Sequence, residues 1–120
     1  MSKASLTKLE RKSLELLLSP SNNADEQLRR QIDSAKVRHR RNTGVGMFVE
    51  FDVPDELAAD NKARIVLSNL SGEMLGLQNG FGGVLYVEKG KLKTLEFFTY
   101  DEPWPVDPSN FSLWLEKTPA

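Results

Sequence analysis

Apolar and polar residues in the first part of the chain recur with the period of an α-helix. Between residues 5 and 19 the leucines fall on one broad side of a helix that turns about 100° per residue, and most charged residues fall elsewhere. Thr7 followed by Glu10 matches the capping box that starts helices, and Pro20 disfavours helical geometry in the residue before it. The pattern predicts an amphipathic helix over residues 5–19.

A narrower apolar stripe follows a short connection over residues 20–23. Its members recur at helical spacing, and they are Ala24, Leu28, Ile32 and Ala35. Asn23 followed by Glu26 repeats the capping pattern. These features predict a second helix over residues 24–36 and, because the connection is short, a helical hairpin that spans residues 5–36.

After the second predicted helix the period changes to the alternation of a β-strand. Four apolar residues point to one side of such a strand, with acidic residues between them pointing to the other, and they are Met47, Val49, Phe51 and Val53. Further strands are predicted over residues 64–70, 73–78, 84–88 and 91–100. Lys89-Gly90 separates the last two, which predicts a hairpin. Residues 111–116 are a candidate for a final strand.

The order of these elements predicts an α+β fold in a single domain over residues 1–120. Helices come first and strands follow with short turns, so we expect the helix pair to cover one face of an antiparallel sheet of about five strands. The sheet is expected over residues 45–100. A tail over residues 101–120, which contains proline and tryptophan, completes the predicted domain.

Composition limits the classes of protein to which the chain can belong. Its 120 residues with 39% hydrophobic content suit one domain with one modest core. Cysteine is absent, which excludes disulfides, thiolate nucleophiles and iron–sulfur clusters. There is no apolar run near the roughly eighteen residues of a membrane span, and the N-terminus resembles no signal peptide, so we expect a cytoplasmic protein without membrane contact.

Charge is distributed unevenly along the chain. Residues 1–41 carry ten Lys or Arg and five Asp or Glu, whereas residues 42–120 carry six and twelve. The densest basic cluster lies at residues 36–41, and its arginines at positions Arg38, Arg40 and Arg41 are candidates for binding nucleic-acid phosphates. The alternative is a helix end followed by an edge strand whose charges deter pairing with other molecules.

No catalytic constellation stands out. His39 is the sole histidine and lies among cations, without a neighbouring carboxylate to orient its ring. The pair Glu50 and Asp52 lacks the spacing of a calcium loop. Glycine-rich segments at residues 44–46 and 80–83 lack the Lys-Ser/Thr of a phosphate loop. We therefore expect a protein that is not an enzyme and that uses no cofactor and no metal.

Binding of another protein is the leading hypothesis, and it rests on the turn after the last predicted sheet strand. The candidate contact residues are Tyr100, Asp101, Glu102 and Trp104, in which a tryptophan held between two prolines stands beside acids. Such an aromatic residue is typical of an interface anchor. In the structural alternative, Trp104 folds back as a lid on an open end of the core. A small-molecule site between helices and sheet, lined by Phe48, Phe51 and Phe98, is a further hypothesis.

Two segments carry a resemblance to known proteins. These are residues 44–48 and the stretch Leu-Glu-Phe-Phe-Thr-Tyr-Asp-Glu-Pro-Trp-Pro at residues 95–105. Through them the chain, from about Leu6 to Pro105, resembles a group of small bacterial proteins that carry no assigned function. The size and the order of helices before strands are also similar to those of bacterial immunity proteins. That second resemblance implies a protein that blocks a toxin by binding it.

Overall fold

The computed structural model describes residues 3–117 as a sheet of six antiparallel strands with helices on one side. In spatial order the strands are β1-β2-β5-β4-β3-β6. Their bounds are β1 Lys36–Asn42, β2 Gly46–Asp52, β3 Ile65–Met74, β4 Phe81–Glu88, β5 Lys91–Thr99 and β6 Phe111–Leu115. The helices are α1 Lys8–Leu17 and α2 Glu26–Arg29, with 3₁₀ turns at Pro20–Asn22 and Asp55–Leu57. The α+β class and the antiparallel sheet are confirmed.

Helix α1 begins with the predicted capping box. The Thr7 hydroxyl accepts the N–H of Glu10 at 3.1 Å, and the Glu10 carboxylate accepts the N–H of Thr7 at 2.8 Å. The same carboxylate forms an ion pair with Arg40 of β1 at 2.7 Å. Glu10 therefore fixes both the start of the helix and its position over the sheet.

The second predicted helix, over residues 24–36, is wrong in length. Only Glu26–Arg29 is helical, and its cap is Asp25, whose side chain accepts the N–H of Gln27 at 2.8 Å. The chain then forms turns and enters β1 at Lys36, where Val37 exchanges backbone hydrogen bonds with Ala4. Residues 30–35 still make local turn hydrogen bonds, such as Ala35 N–H to Gln31 O at 2.9 Å, and pairing with β2 begins at Lys36. The helical hairpin is therefore reduced to one helix and a single short turn of a second.

The sheet has six strands rather than about five, and it extends beyond the predicted range of residues 45–100. Strand β1 is the edge strand that the alternative interpretation of the basic segment predicts, although it begins already at Lys36, and β6 lies in the predicted tail. The two strands predicted over residues 64–78 are one strand, β3, because pairing with β4 continues through Ser71 and Gly72. The register of β3 against β4 shifts between Leu67 and Leu70, and the pairing resumes at Leu70.

One face of the sheet is buried under α1 and the turns that follow it. Val49, Leu95 and Leu85 lie side by side on neighbouring strands β2, β5 and β4, and all three are fully buried. Leu14 and Leu17 of α1 are fully buried in the same core. We call this side of the sheet the covered face. No helix among residues 3–117 is long and apolar enough to cross a membrane.

Candidate functional site

The opposite side of the sheet carries an unusual number of rings. Because side chains alternate along a strand, the neighbours of Val49, Leu95 and Leu85 point away from the core. This second side, the uncovered face, carries partly exposed rings and aliphatic side chains, which are Phe48, Val66, Val84, Tyr86, Phe98 and Trp114. A sheet face directed to water is normally polar, so this composition indicates a surface used for contact.

Packing within the uncovered face holds its rings in place. Phe98 lies across Gly82 of the neighbouring strand, where an added Cβ would overlap the ring. The Tyr100 ring meets Phe98 edge to face, with centroids 5.8 Å apart. Tyr100 is still 50% exposed. Its ring is therefore positioned by the sheet and remains free to contact a partner.

Two arginines from opposite sides of the sheet, Arg41 on β1 and Arg64 beside β3, are engaged with rings of this face. The Arg41 guanidinium lies over the Phe48 ring at 4.9 Å, and that of Arg64 lies over Tyr86 at 5.6 Å. The Tyr86 hydroxyl donates to the Glu96 carboxylate at 3.2 Å. Partial burial and then the Glu96 charge raise the pKa of Tyr86. The charged and polar groups of these side chains therefore have partners within the uncovered face.

A groove of about 630 Å³ lies on the uncovered face at the β3 and β6 side of the sheet. Strands β3 and β6, the loop over residues 75–80 and Tyr100 form its walls. Within the described part of the chain, the charged residues that line it are Glu73 and Glu116, and both are acids. Trp114, which is 39% exposed, donates its indole N–H to the Glu116 carboxylate at 2.8 Å. The groove thus combines exposed aromatic rings with negative charge.

The four residues predicted as a protein-binding patch do not form one surface. Tyr100 lines the groove, and Asp101 is exposed in a left-handed backbone conformation with φ of 62°. Trp104 is only 5% exposed, and its ring stacks on Phe97 of the covered face at 5.4 Å. An exposed anchor at Trp104 is therefore not what the structure shows, and the predicted alternative of a lid on the core describes its position.

Glu102 braces the wall of the groove. Its two carboxylate oxygens accept the N–H groups of Gln78 and Asn79, each at 2.8 Å. Both residues belong to the 75–80 loop. Glu102 thus acts on the site by holding the loop beside Tyr100, and a contact with a partner is not needed to explain it.

Glu102→Ala is expected to loosen this loop without unfolding the protein. The variant loses two charge-assisted hydrogen bonds in an exposed setting, so we expect a stability loss of about 1 kcal/mol. Amide hydrogen exchange should accelerate at Gln78 and Asn79. Asp101→Asn is the control, because asparagine tolerates the left-handed conformation and leaves both bonds intact. Equal exchange rates in Glu102→Ala and Asp101→Asn would contradict this role.

The arginines predicted as nucleic-acid ligands point in different directions. Arg40 pairs with Glu10 on the covered face, and this hydrogen-bonded partner raises the pKa of the guanidinium. Arg41 lies on the uncovered face over Phe48. Arg38 sits at a register shift and pairs with Asp52 at 3.2 Å. The structure therefore does not bring the three together as one phosphate-binding surface.

The phenylalanines predicted to line a small-molecule site are also separated. Phe51 is buried on the covered face, whereas Phe48 and Phe98 lie on the uncovered face. The sheet itself stands between them, so they line no common cavity. Among residues 3–117, no three Asp, Glu or His side chains converge to hold a metal ion.

Three of the groove residues were not predicted from the sequence. The sequence pattern places Glu73 in a separate strand and Glu116 in the candidate final strand, and it leaves Trp114 the same alternatives as Trp104, at the other end of the domain, without relating any of the three to a groove. The alternation at residues 111–115 sets Ser112 and Trp114 on the side opposite the apolar residues, which is the available sequence indication. Their meeting depends on the pairing of β6 with β3.

Comparison of the chain with protein-family models, curated proteins and solved structures finds no match.

Proposed function

We propose that this chain is a non-enzymatic protein-binding module that holds basic side chains of its partner in the groove over β3 and β6 on the uncovered face. One observation carries the proposal, namely that exposed aromatic rings and carboxylates share the walls of the groove, while none of residues 3–117 that line it is a cation. Aromatic residues are enriched at the centres of protein interfaces. Carboxylates beside rings are the usual setting for arginine and lysine.

The lining chemistry supports a cationic rather than a neutral or acidic ligand. Trp114 and Tyr100 offer ring faces to a guanidinium or an ammonium group, and Glu73 and Glu116 offer opposite charge. The hydrogen bond from Trp114 fixes one of these carboxylates before a partner arrives. A preformed site reduces the entropy lost on binding.

The most specific form of this function is that of an immunity-type inhibitor. Toxins that cleave nucleic acid need a basic surface to bind their substrate. An immunity protein of this kind inhibits the toxin by covering that surface. An acidic groove with aromatic anchors suits that task because its charge complements the surface that it must cover.

Binding of peptides of defined charge tests the proposal. The probe is an array of synthetic peptides sorted by net charge, and the purified chain is expected to retain the basic ones. Trp114→Ala should weaken binding about thirtyfold, equivalent to about 2 kcal/mol. Glu73→Gln combined with Glu116→Gln should also weaken it, and added salt should weaken the wild-type complex. Glu56→Gln is the control, because Glu56 is exposed in the 3₁₀ turn Asp55–Leu57, away from the groove.

Two results would overturn the proposal. One is binding that favours acidic peptides or that ignores peptide charge. The other is equal loss of binding in the groove variants and in Glu56→Gln. For the immunity form, co-expression with the toxin recovered as partner should restore growth of the producing cells, whereas the Trp114→Ala variant should not.

A further inference from the structure

The two outer edges of the sheet differ in how they are protected. Strand β1 has four cations among its seven residues, and Ala4 occupies part of its edge by exchanging hydrogen bonds of 3.0 and 2.7 Å with Val37. Strand β6 has the sequence Phe-Ser-Leu-Trp-Leu without any charged residue. Charge and coverage are common means of preventing edge pairing. Strand β6 carries no charge, and no other strand of residues 3–117 pairs with its outer side.

The backbone of β6 presents hydrogen-bonding groups along its outer edge. Glu116 N–H donates to Asn69 O at 2.7 Å, and Leu75 N–H donates to Asn110 O at 2.9 Å, so residues 110 and 116 turn toward β3. Alternate residues of a strand direct their N–H and C=O to the same side. Phe111, Leu113 and Leu115 therefore direct theirs outward, and among residues 3–117 no strand pairs with this edge.

An apolar groove of about 340 Å³ runs along the same edge on the covered face. Leu16 of α1 forms one wall, and Phe111 and Leu113 form the other. If another strand paired with the outer edge of β6, its side chains on the covered face would lie in this groove. The layers of sheet and helix are thus incomplete at β6, in contrast to the buried core under the central strands.

We propose that β6 pairs antiparallel with β6 of a second copy of this chain, forming a two-fold dimer with one continuous sheet. With Leu113 at the two-fold axis, Phe111 lies opposite Leu115 of the other copy. Each of these apolar side chains on the covered face then meets an apolar side chain of the other copy. The outward N–H and C=O groups of Phe111, Leu113 and Leu115 are paired as well. The apolar residues of β6 are arranged symmetrically about Leu113, which favours pairing with a second copy of β6 over pairing with an unrelated strand.

Charges beside the apolar groove are self-complementary. Lys12 and Glu15 both line it, so each copy brings one cation and one anion to the seam. In an isologous interface the cation of one copy can face the anion of the other. The dimer also places both copies of Trp114 on the same side of the extended sheet, which would present two binding grooves to a partner.

Sedimentation velocity over a range of protein concentrations tests the dimer. The wild-type chain is expected to be a concentration-dependent dimer. Leu113→Pro removes an outward N–H and leaves pairing with β3 intact, so it should be monomeric. Lys12→Glu or Glu15→Lys should each weaken dimerisation about tenfold, since two symmetry-related contacts change, and the combined variant should restore it. Lys93→Glu, an exposed change on β5, is the control.

Hydrogen exchange provides a second measurement that does not depend on any substitution. The amides of Phe111, Leu113 and Leu115 should gain protection as protein concentration rises. Those of Ser112 and Trp114 are already directed to β3 and should change less. If Leu113→Pro fails to fold, the charge variants and this exchange pattern decide. A wild-type monomer at the highest soluble concentration, or a dimer without protection at Leu113, would overturn the proposal.

Discussion

Replacing Trp104 by alanine is expected to lower the free energy of unfolding by about 3–5 kcal/mol, because a large buried ring is lost and a cavity remains. The ring stacks on Phe97 and meets Phe81 edge to face with centroids 5.7 Å apart. Its backbone N–H also donates to Gly44 O at 2.9 Å. The side chain therefore closes one end of the core and joins it to the β1–β2 turn.

Chemical denaturation of Trp104→Ala and Trp114→Ala measures this difference. Both variants lose one tryptophan, but Trp114 is partly exposed and lines the groove. We expect Trp114→Ala to lose about 1 kcal/mol of stability or less and to weaken partner binding about thirtyfold. Similar midpoints for the two variants would show that burial of Trp104 is not what stabilises this end of the core.

Gln31→Ala is expected to cost about 3 kcal/mol or more, although the residue lies in a turn segment outside regular helix. Gln31 is fully buried. Its amide N–H groups donate to Leu57 O at 3.0 Å and to Gly90 O at 2.8 Å, and its carbonyl accepts Leu92 N–H at 3.0 Å. Alanine would leave Leu92 N–H buried without its acceptor and Leu57 O without its donor, whereas Gly90 O keeps its hydrogen bond from Ala59 N–H at 2.7 Å.

Gln27→Ala is the matched control for the amide. Gln27 also makes hydrogen bonds, to the side chain and backbone of Asp60, but they are exposed to solvent. Removal of its side chain should cost about 1 kcal/mol or less because water can replace the bonds. Thermal unfolding of Gln31→Ala and Gln27→Ala measures the two losses of stability. A loss at Gln31 no larger than that at Gln27 would contradict the role assigned to the buried amide.

Local sequence patterns were sufficient where neighbouring residues decide the structure. The capping box at Thr7 and Glu10 and the hairpin at Lys89-Gly90 depend on a few adjacent side chains and backbone angles. The capping box and the hairpin are both confirmed, and in the hairpin turn φ is 54° at Lys89 and 76° at Gly90. The candidate strand at residues 111–116 is confirmed as β6.

Patterns failed where distant backbone pairing competes with local preference. Residues 30–36 have helical spacing of apolar residues, yet Gln31 binds the β4–β5 turn and Val37 pairs with Ala4. The interruption predicted at Ser71 and Gly72 is absent because β4 and β6 both pair there. Hydrogen bonds with such partners are invisible in a window of sequence.

The sequence by itself determined the α+β class, the first helix, the hairpin and the unequal distribution of charge, because these depend on local periodicity and composition. Only the tertiary structure decided that Trp104 is buried while Trp114 is exposed, because Trp104 follows two acids and Trp114 stands between leucines, and the alternation at residues 111–115 does not say which face of the sheet is covered. It also decided that Tyr100, Glu73 and Glu116 share one groove. Their proximity arises from strand order, which long-range pairing sets.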